Sequence, residues 1–182
     1  MKNLFNNKIK TNLKVCSRCI YDEKVSAIYF DADGVCNYCH QIEKLRKEYG
    51  TGKKKGNENL QKIIKEIKKK GKNKKYDCVI GVSGGVDSSY MLYLAKEWGL
   101  RPLAVHYDNT WNSAIATQNI RKVLSALNID LYTHIVNNKE SDDIFRSFFL
   151  ADVAEIEAPT DLALAEVMYR AAWKYGIKYI FE

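Results

Sequence analysis

Ser83-Gly84-Gly85-Val86-Asp87-Ser88-Ser89 is the stretch whose reading decides the fold. It follows a short apolar run, Tyr76-Asp77-Cys78-Val79-Ile80-Gly81-Val82, and opens a periodic apolar segment, Tyr90 to Trp98, that stops at Gly99. That order reads as strand, tight loop, helix. Two glycines let the backbone turn sharply and bring its N–H groups close to a ligand. The helix start adds unpaired donors and the positive end of its dipole, and Ser83, Ser88 and Ser89 add hydroxyls, so the chemistry is that of an anion site. Asp87 fits among phosphates once Mg²⁺ is included, because that ion takes hard oxygen ligands and bridges phosphate to carboxylate. The turn has no lysine and no G-x-x-x-x-G-K-[ST] spacing, and it is not G-x-G-x-x-G either. The plain alternative is a Ser/Gly-rich turn that caps an ordinary helix.

The 182 residues suffice for one domain plus a small module, and an apolar fraction of 46% supports a packed core. No apolar run approaches membrane-span length, and the start, Met1 to Lys10, has no apolar stretch of the signal-peptide kind, so a cytoplasmic protein without membrane contact is expected. The net charge is +7, but eleven lysines and two glutamates fall within residues 51–75, leaving the rest slightly acidic. The basicity thus belongs to one segment with no interleaved aromatics, which argues against nucleic acid as a partner.

Residues 1–13 read as a polar leader. Residues 14–40 hold Cys16-Ser-Arg-Cys19 and Cys36-Asn-Tyr-Cys39, with sixteen residues between the pairs, at zinc-site spacing. Ser26 to Phe30 reads as a strand and Asp31 to Gly34 as a turn, so two knuckles and a hairpin would place four thiolates around Zn²⁺. So small a module needs the metal's binding energy to fold. An iron–sulfur cluster fits the same four thiolates. Cys36-x-x-Cys39-His40 also matches a haem attachment pattern, which the second cysteine pair and the lack of an export signal disfavour. His40 is either a substitute ligand or a solvent-facing neighbour.

Residues 41–75 form a helical, lysine-rich linker. A short helix ends near Gly50, and Leu60, Ile63, Ile64 and Ile67 put an apolar stripe on a helix of about 12 residues with Gly71 just past its end. From residue 76 strands and helices alternate: strands at 76–82, 102–108, 130–136 and from 177; helices at 88–98, 113–127, 141–150 and from Thr160/Asp161 to Gly176. This predicts an α/β fold, a parallel twisted sheet with helices on both faces and right-handed crossovers. The last strand runs straight into Glu182, which reads as a cut, so the sequence is expected to be a fragment whose α/β domain, 76–182, is incomplete at its carboxyl end.

In such sheets ligands bind at the carboxyl ends of the strands. Three segments arrive there: the Ser83–Ser89 loop, His106-Tyr107-Asp108-Asn109, and Glu157-Ala-Pro-Thr-Asp161. Asp108 lies 24 residues after Gly84, near the spacing of a ribose-binding acid, but a turn or cap role suits it nearly as well. Thr160 and Asp161 are either substrate contacts or caps. His134 and Cys78, inside strands, read as packing residues.

Ser-Gly-Gly-Val-Asp-Ser resembles the pyrophosphate-binding loop of the ATP pyrophosphatase (PP-loop) superfamily, with its adenine nucleotide α-hydrolase-like, HUP-type sheet. The four cysteines, the lysine-rich helix, the loop, His106 to Ser113 and Glu157 to Asp161 together resemble the N-acetyl sugar amidotransferase family, over about residues 14–182. The resemblance implies an ATP- and Mg²⁺-dependent, AMP-forming amidotransferase that converts the acetamido group of a nucleotide-activated sugar into an acetamidine, in bacterial surface-polysaccharide, lipopolysaccharide or nonulosonic-acid biosynthesis. It implies Ser83, Asp87 and Ser88 as catalytic residues. The cofactor site would be Ser83, Gly84, Gly85, Val86, Asp87, Ser88, Ser89, His106 and Asp108, with Asp87 on Mg²⁺. No glutaminase signature is present, so a separate glutaminase-type subunit would supply ammonia. Two alternatives stand beside it. A tRNA-thiolating ATP pyrophosphatase is disfavoured by the lack of cysteines after Cys78, and a non-catalytic nucleotide sensor by the intact Asp87 and its flanking serines.

Overall fold

A computed structural model describes residues 13–181; the leader expected at 1–13 lies outside this range apart from Leu13. The chain divides into two compact units, Met1–Leu60 and Gln61–Glu182.

In the first unit Cys16 and Cys19 lie on a short loop and Cys36 and Cys39 at the start of a helix, with two antiparallel bridges, Val15 to Asp22 and Phe30 to Cys36. The strand expected over 26–30 is not formed; only Phe30 pairs. The turn after it is: Asp31 Oδ1 accepts from Asp33 N and Val35 N, both at 2.9 Å, and Gly34 takes φ +78°. Helix α1, Asn37–Tyr49, starts four residues before the predicted position because Cys36 is its N-cap, and it ends on Gly50 in the left-handed region.

Helix α2, Lys54–Gly71, is 18 residues long, half again the predicted length. Ile64 and Ile67 are buried and every lysine along it is exposed. Gly71 is its last helical residue, not the one beyond it. A Cβ there would stand 1.9 Å from Asp77 Oδ1, so close packing, not a left-handed turn, requires glycine. Asp77 is buried and held by Arg101, with Nη2–Oδ1 2.7 Å and Nε–Oδ2 3.0 Å. The same guanidinium donates to Gly71 O, at the helix end, and to Lys74 O just beyond it.

Four parallel strands form the sheet, in the order β3-β2-β1-β4. They are β1 Cys78–Gly81, β2 Pro102–Asp108, β3 Leu131–Ile135 and β4 Ile180–Phe181. Central strands β1 and β2 are covered on both sides and read as near-continuous apolar runs, as parallel strands must. Edge strand β3 is largely exposed, so His134 is not a core residue, but its ring stacks on Tyr107 of β2 at 6.4 Å; Cys78 is fully buried as expected. Val79, Leu103 and Val105 pack against Val167, Met168, Ala171 and Ala172 of α6, Ala158–Lys174. Alternation sends Ile80 and Ala104 to the opposite face, where α3, Val86–Glu97, packs on β1 and β2 and against α4, Ala114–Leu127. The fold is the predicted α/β sheet with helices on both faces.

The boundaries moved for local reasons. Ser113 Oγ caps α4 by accepting from Ala116 N at 3.1 Å. Asn137 caps α5, Asn138–Leu150, three residues before the predicted start. Pro159 sits in the first turn of α6, where its missing N–H costs nothing, so Thr160 and Asp161 lie inside that turn and are not caps. Ile177 N donates to Ala172 O at 2.7 Å to close α6, which delays β4 to Ile180.

Candidate phosphate-binding loop and cysteine cluster

The loop leaves the carboxyl end of β1, and parallel pairing with β2 puts Asp108 and its neighbours at the same rim. The helix begins two residues before the predicted position: Val86 and Asp87 belong to α3, with Gly85 as an N-cap that has no side chain to bond the first-turn amides. The donors expected of a loop therefore come largely from a helix start, where N–H groups and dipole act together. Ser83, Gly85, Val86 and Asp87 are exposed, Val86 by 83%, while Gly84 is buried.

Gly84 has φ +81°, and a Cβ there would meet Ala116 O at 2.3 Å. Glycine at this position sets the turn and its seat on α4. Gly85 has φ −79°, and a Cβ there would meet only the Ser83 hydroxyl, at 3.4 Å, so neither conformation nor packing demands it. Ser89 Oγ donates to Gly85 O at 2.7 Å and is committed to the loop. Ser83 and Ser88 hydroxyls make only contacts of 3.4 Å.

His106 is 7% exposed and sits behind the loop: Nδ1 donates to Val82 O at 2.8 Å, and Nε2 faces Asn112 Nδ2 at 3.4 Å. The other hydrogen of Asn112 goes to Asp108 Oδ1 at 3.0 Å, which also accepts from Thr110 N at 2.8 Å. Asp108 thus performs the turn role, and its partners gather it with His106 and Asn112. Thr160 Oγ1 is buried with no hydrogen-bond partner among the described residues, and Asp161 is exposed. Sequence reading missed Asn112 and Asn119, whose Nδ2 donates to Gly84 O at 3.2 Å. Nothing in their spacing marks them; they meet the loop only once α4 is docked.

Beside the loop lies a cleft of about 320 Å³. Ser83, Asp87 and Ser88 form its polar lip, and Met91, Leu164 and Met168 its apolar wall. A polar lip at a helix start beside an apolar wall can take the phosphates and the base of a nucleotide.

In the first unit, the sulfurs of Cys16, Cys19, Cys36 and Cys39 all lie within 4.8 Å of one another, with Cys16–Cys39 at 3.9 Å and Cys19–Cys36 at 3.7 Å. Tetrahedral Zn–S bonds of about 2.3 Å put sulfurs about 3.8 Å apart, so the donor set fits zinc in a ribbon-type module. Burial opposes ionisation of Cys16, but N–H groups of Arg18, Cys19 and Cys36 aimed at its sulfur bring the thiol down to about 6. Burial and then the neighbouring sulfurs push Cys39 up to about 12. Four thiolates this close repel one another unless a cation sits among them. His40 is not in the cluster; its Nε2 pairs with Asp31 Oδ2 at 2.6 Å.

No family model matches the chain. An uncharacterised protein of Methanocaldococcus jannaschii is 29% identical over 167 residues, 91% of this chain and 57% of its own length. A tRNA-specific 2-thiouridylase of Geobacillus kaustophilus is 27% identical over 57% of this chain and 30% of its own. One of Staphylococcus epidermidis is 29% identical over 58% of this chain and 31% of its own. Among solved structures, the NMN synthetase of Francisella tularensis has TM-score 0.45 and 22% identity over 66% of this chain and 51% of that one. The NAD+ synthetase of Burkholderia pseudomallei has TM-score 0.38 and 21% identity over 66% and 57%. The chain spans little more than half the length of the M. jannaschii relative. The sequence likeness to the thiouridylases, joined to the Ser83–Ser89 loop, places the chain in the PP-loop ATP pyrophosphatase superfamily. No helix among the described residues is long and apolar enough to cross a membrane.

Proposed function

We propose that this chain carries the nucleotide site of an AMP-forming amidotransferase acting on the acetamido group of a nucleotide-activated sugar. One observation carries the reading: an uncapped helix start at the carboxyl rim, with exposed Ser83, Gly85, Val86 and Asp87 around it. In this reading the β- and γ-phosphates of ATP lie on the first-turn amides of α3, and the base enters the apolar cleft toward Met91 and Met168. Asp87 would hold Mg²⁺, which supplies charge neutralisation for the departing pyrophosphate. Ser83 and Ser88, whose hydroxyls have only long contacts, are free to turn toward the same oxygens. The acceptor's amide oxygen attacks the α-phosphorus, pyrophosphate leaves, and the oxygen becomes part of AMP. Ammonia from a separate glutaminase-type subunit then displaces AMP and leaves the acetamidine. The cysteine module would hold Zn²⁺ on Cys16, Cys19, Cys36 and Cys39.

Transfer of sulfur to tRNA is the second reading, favoured by the two thiouridylase relatives. Against it, the cysteine in the α/β unit, Cys78, is fully buried, and burial followed by Asp77 pushes its thiol up to about 12, so it is no sulfur carrier. The acceptor that stimulates AMP formation distinguishes them. AMP formation from MgATP that rises with an N-acetylated sugar nucleotide and an ammonium salt supports amidation. AMP formation that rises only with tRNA, or no AMP with either acceptor, overturns it.

A further inference from the structure

Two side chains behind the loop hold the carbonyls of Val82 and Gly84. In a trans peptide the C=O of one residue and the N–H of the next point to opposite sides. His106 Nδ1 donates to Val82 O at 2.8 Å, and Asn119 Nδ2 donates to Gly84 O at 3.2 Å. Both carbonyls are drawn inward, toward β2 and α4, so Ser83 N–H and Gly85 N–H are turned outward to the exposed side. There they meet only hydroxyl oxygens at 3.4 Å, beyond the usual 2.7–3.2 Å range, and remain available to a stronger acceptor.

Val82 O can only accept, so Nδ1 of His106 carries the proton toward it, and Asn112 Nδ2 lies 3.4 Å from Nε2. Asn112 in turn is held by Asp108. The contact of Gly84 with Ala116 brings the first turns of α4 against the loop and sets Asn119 within reach.

We infer that Asn119 and His106, steadied by Asn112, are positioning residues that orient the amides of Gly85 and Ser83 toward a pyrophosphate group. This rests on the nucleotide reading above. It adds that anion affinity depends on side chains that do not touch the ligand.

The test is amide and carbonyl NMR on the full chain with inorganic pyrophosphate as probe, comparing wild type with Asn119→Ala, Asn119→Asp and His106→Gln. Asn119→Asp keeps the volume and removes the donor, which guards against a packing defect in Asn119→Ala. In the ligand-free protein, both Asn119 variants are expected to move the Gly84 carbonyl ¹³C resonance and leave that of Val82 in place; His106→Gln does the reverse. On titration, the Gly85 amide shift is lost in the Asn119 variants while that of Ser83 persists, and the dissociation constant rises about five- to tenfold, as for one hydrogen bond. A wild-type loop that ignores pyrophosphate overturns the nucleotide reading and this inference with it. A wild-type loop that responds, with Asn119→Asp responding equally at Gly85, overturns the positioning role alone.

Discussion

Gly84 and Gly85 look equivalent in sequence and differ in the structure. Gly84→Ala places a methyl group against Ala116 O at a positive φ. It should lower stability by roughly 2–3 kcal/mol, read as a shift in denaturant midpoint. Gly85→Ala should leave that midpoint within about 0.5 kcal/mol of wild type. Its loss should appear instead as weaker pyrophosphate binding, since its Cβ stands beside the Ser83 hydroxyl. Asp87→Asn keeps shape and removes charge. If Asp87 holds the metal, this variant should cut Mg²⁺-dependent AMP formation by about 100-fold or more while the thermal midpoint holds. The loop's chemistry was legible because donors, glycines and one carboxylate are concentrated in seven residues. His106 was placed at the site by its position at the end of β2, but its bond to Val82 O and the contacts of Asn112 and Asn119 were not legible, because a contact between a strand, a helix and a loop leaves no spacing in the chain.

At the scale of elements, periodicity found every helix and strand of the α/β unit, and caps decided where each began. Asn137, Ser113 and Pro159 moved three helix starts by one to three residues. The bond from Ile177 N to Ala172 O shortened β4. The Asp77–Arg101 pair was invisible in sequence, yet it ties α2 to the start of β1. Arg101→Ala leaves a buried carboxylate without its partner and should cost about 2 kcal/mol in chemical denaturation, less than for a fully buried pair because the guanidinium is half exposed. In the cysteine module the Asp31 carboxyl is held below its ordinary range, first by Val35 N–H and then by His40. A depressed folded value means that its contribution is full above the unfolded value and is lost as pH falls through the folded one. Far-UV circular dichroism of the zinc-loaded module should therefore be flat at neutral pH and fall only in acid, where thiolates also release metal. A chelator at neutral pH should abolish the signal of α1, with four thiolates freed per zinc.

For the whole molecule, charge distribution and cysteine spacing pointed to a lysine-rich segment apart from the α/β sheet and a metal module before it. The structure divides the chain at Leu60 and Gln61, inside helix α2, which no change in composition announced. This chain covers little more than half of its M. jannaschii relative. The proposed function requires that α3's open start and the turn before it grip the triphosphate of ATP. The most direct test is a crystal structure of the full chain with Mg²⁺ and an ATP analogue that resists cleavage between the α- and β-phosphates. β- and γ-phosphate oxygens are expected within hydrogen-bond distance of the Gly85, Val86 and Asp87 amides, with the cation on the Asp87 carboxylate. A nucleotide bound elsewhere, or phosphates turned away from that helix start, would contradict it.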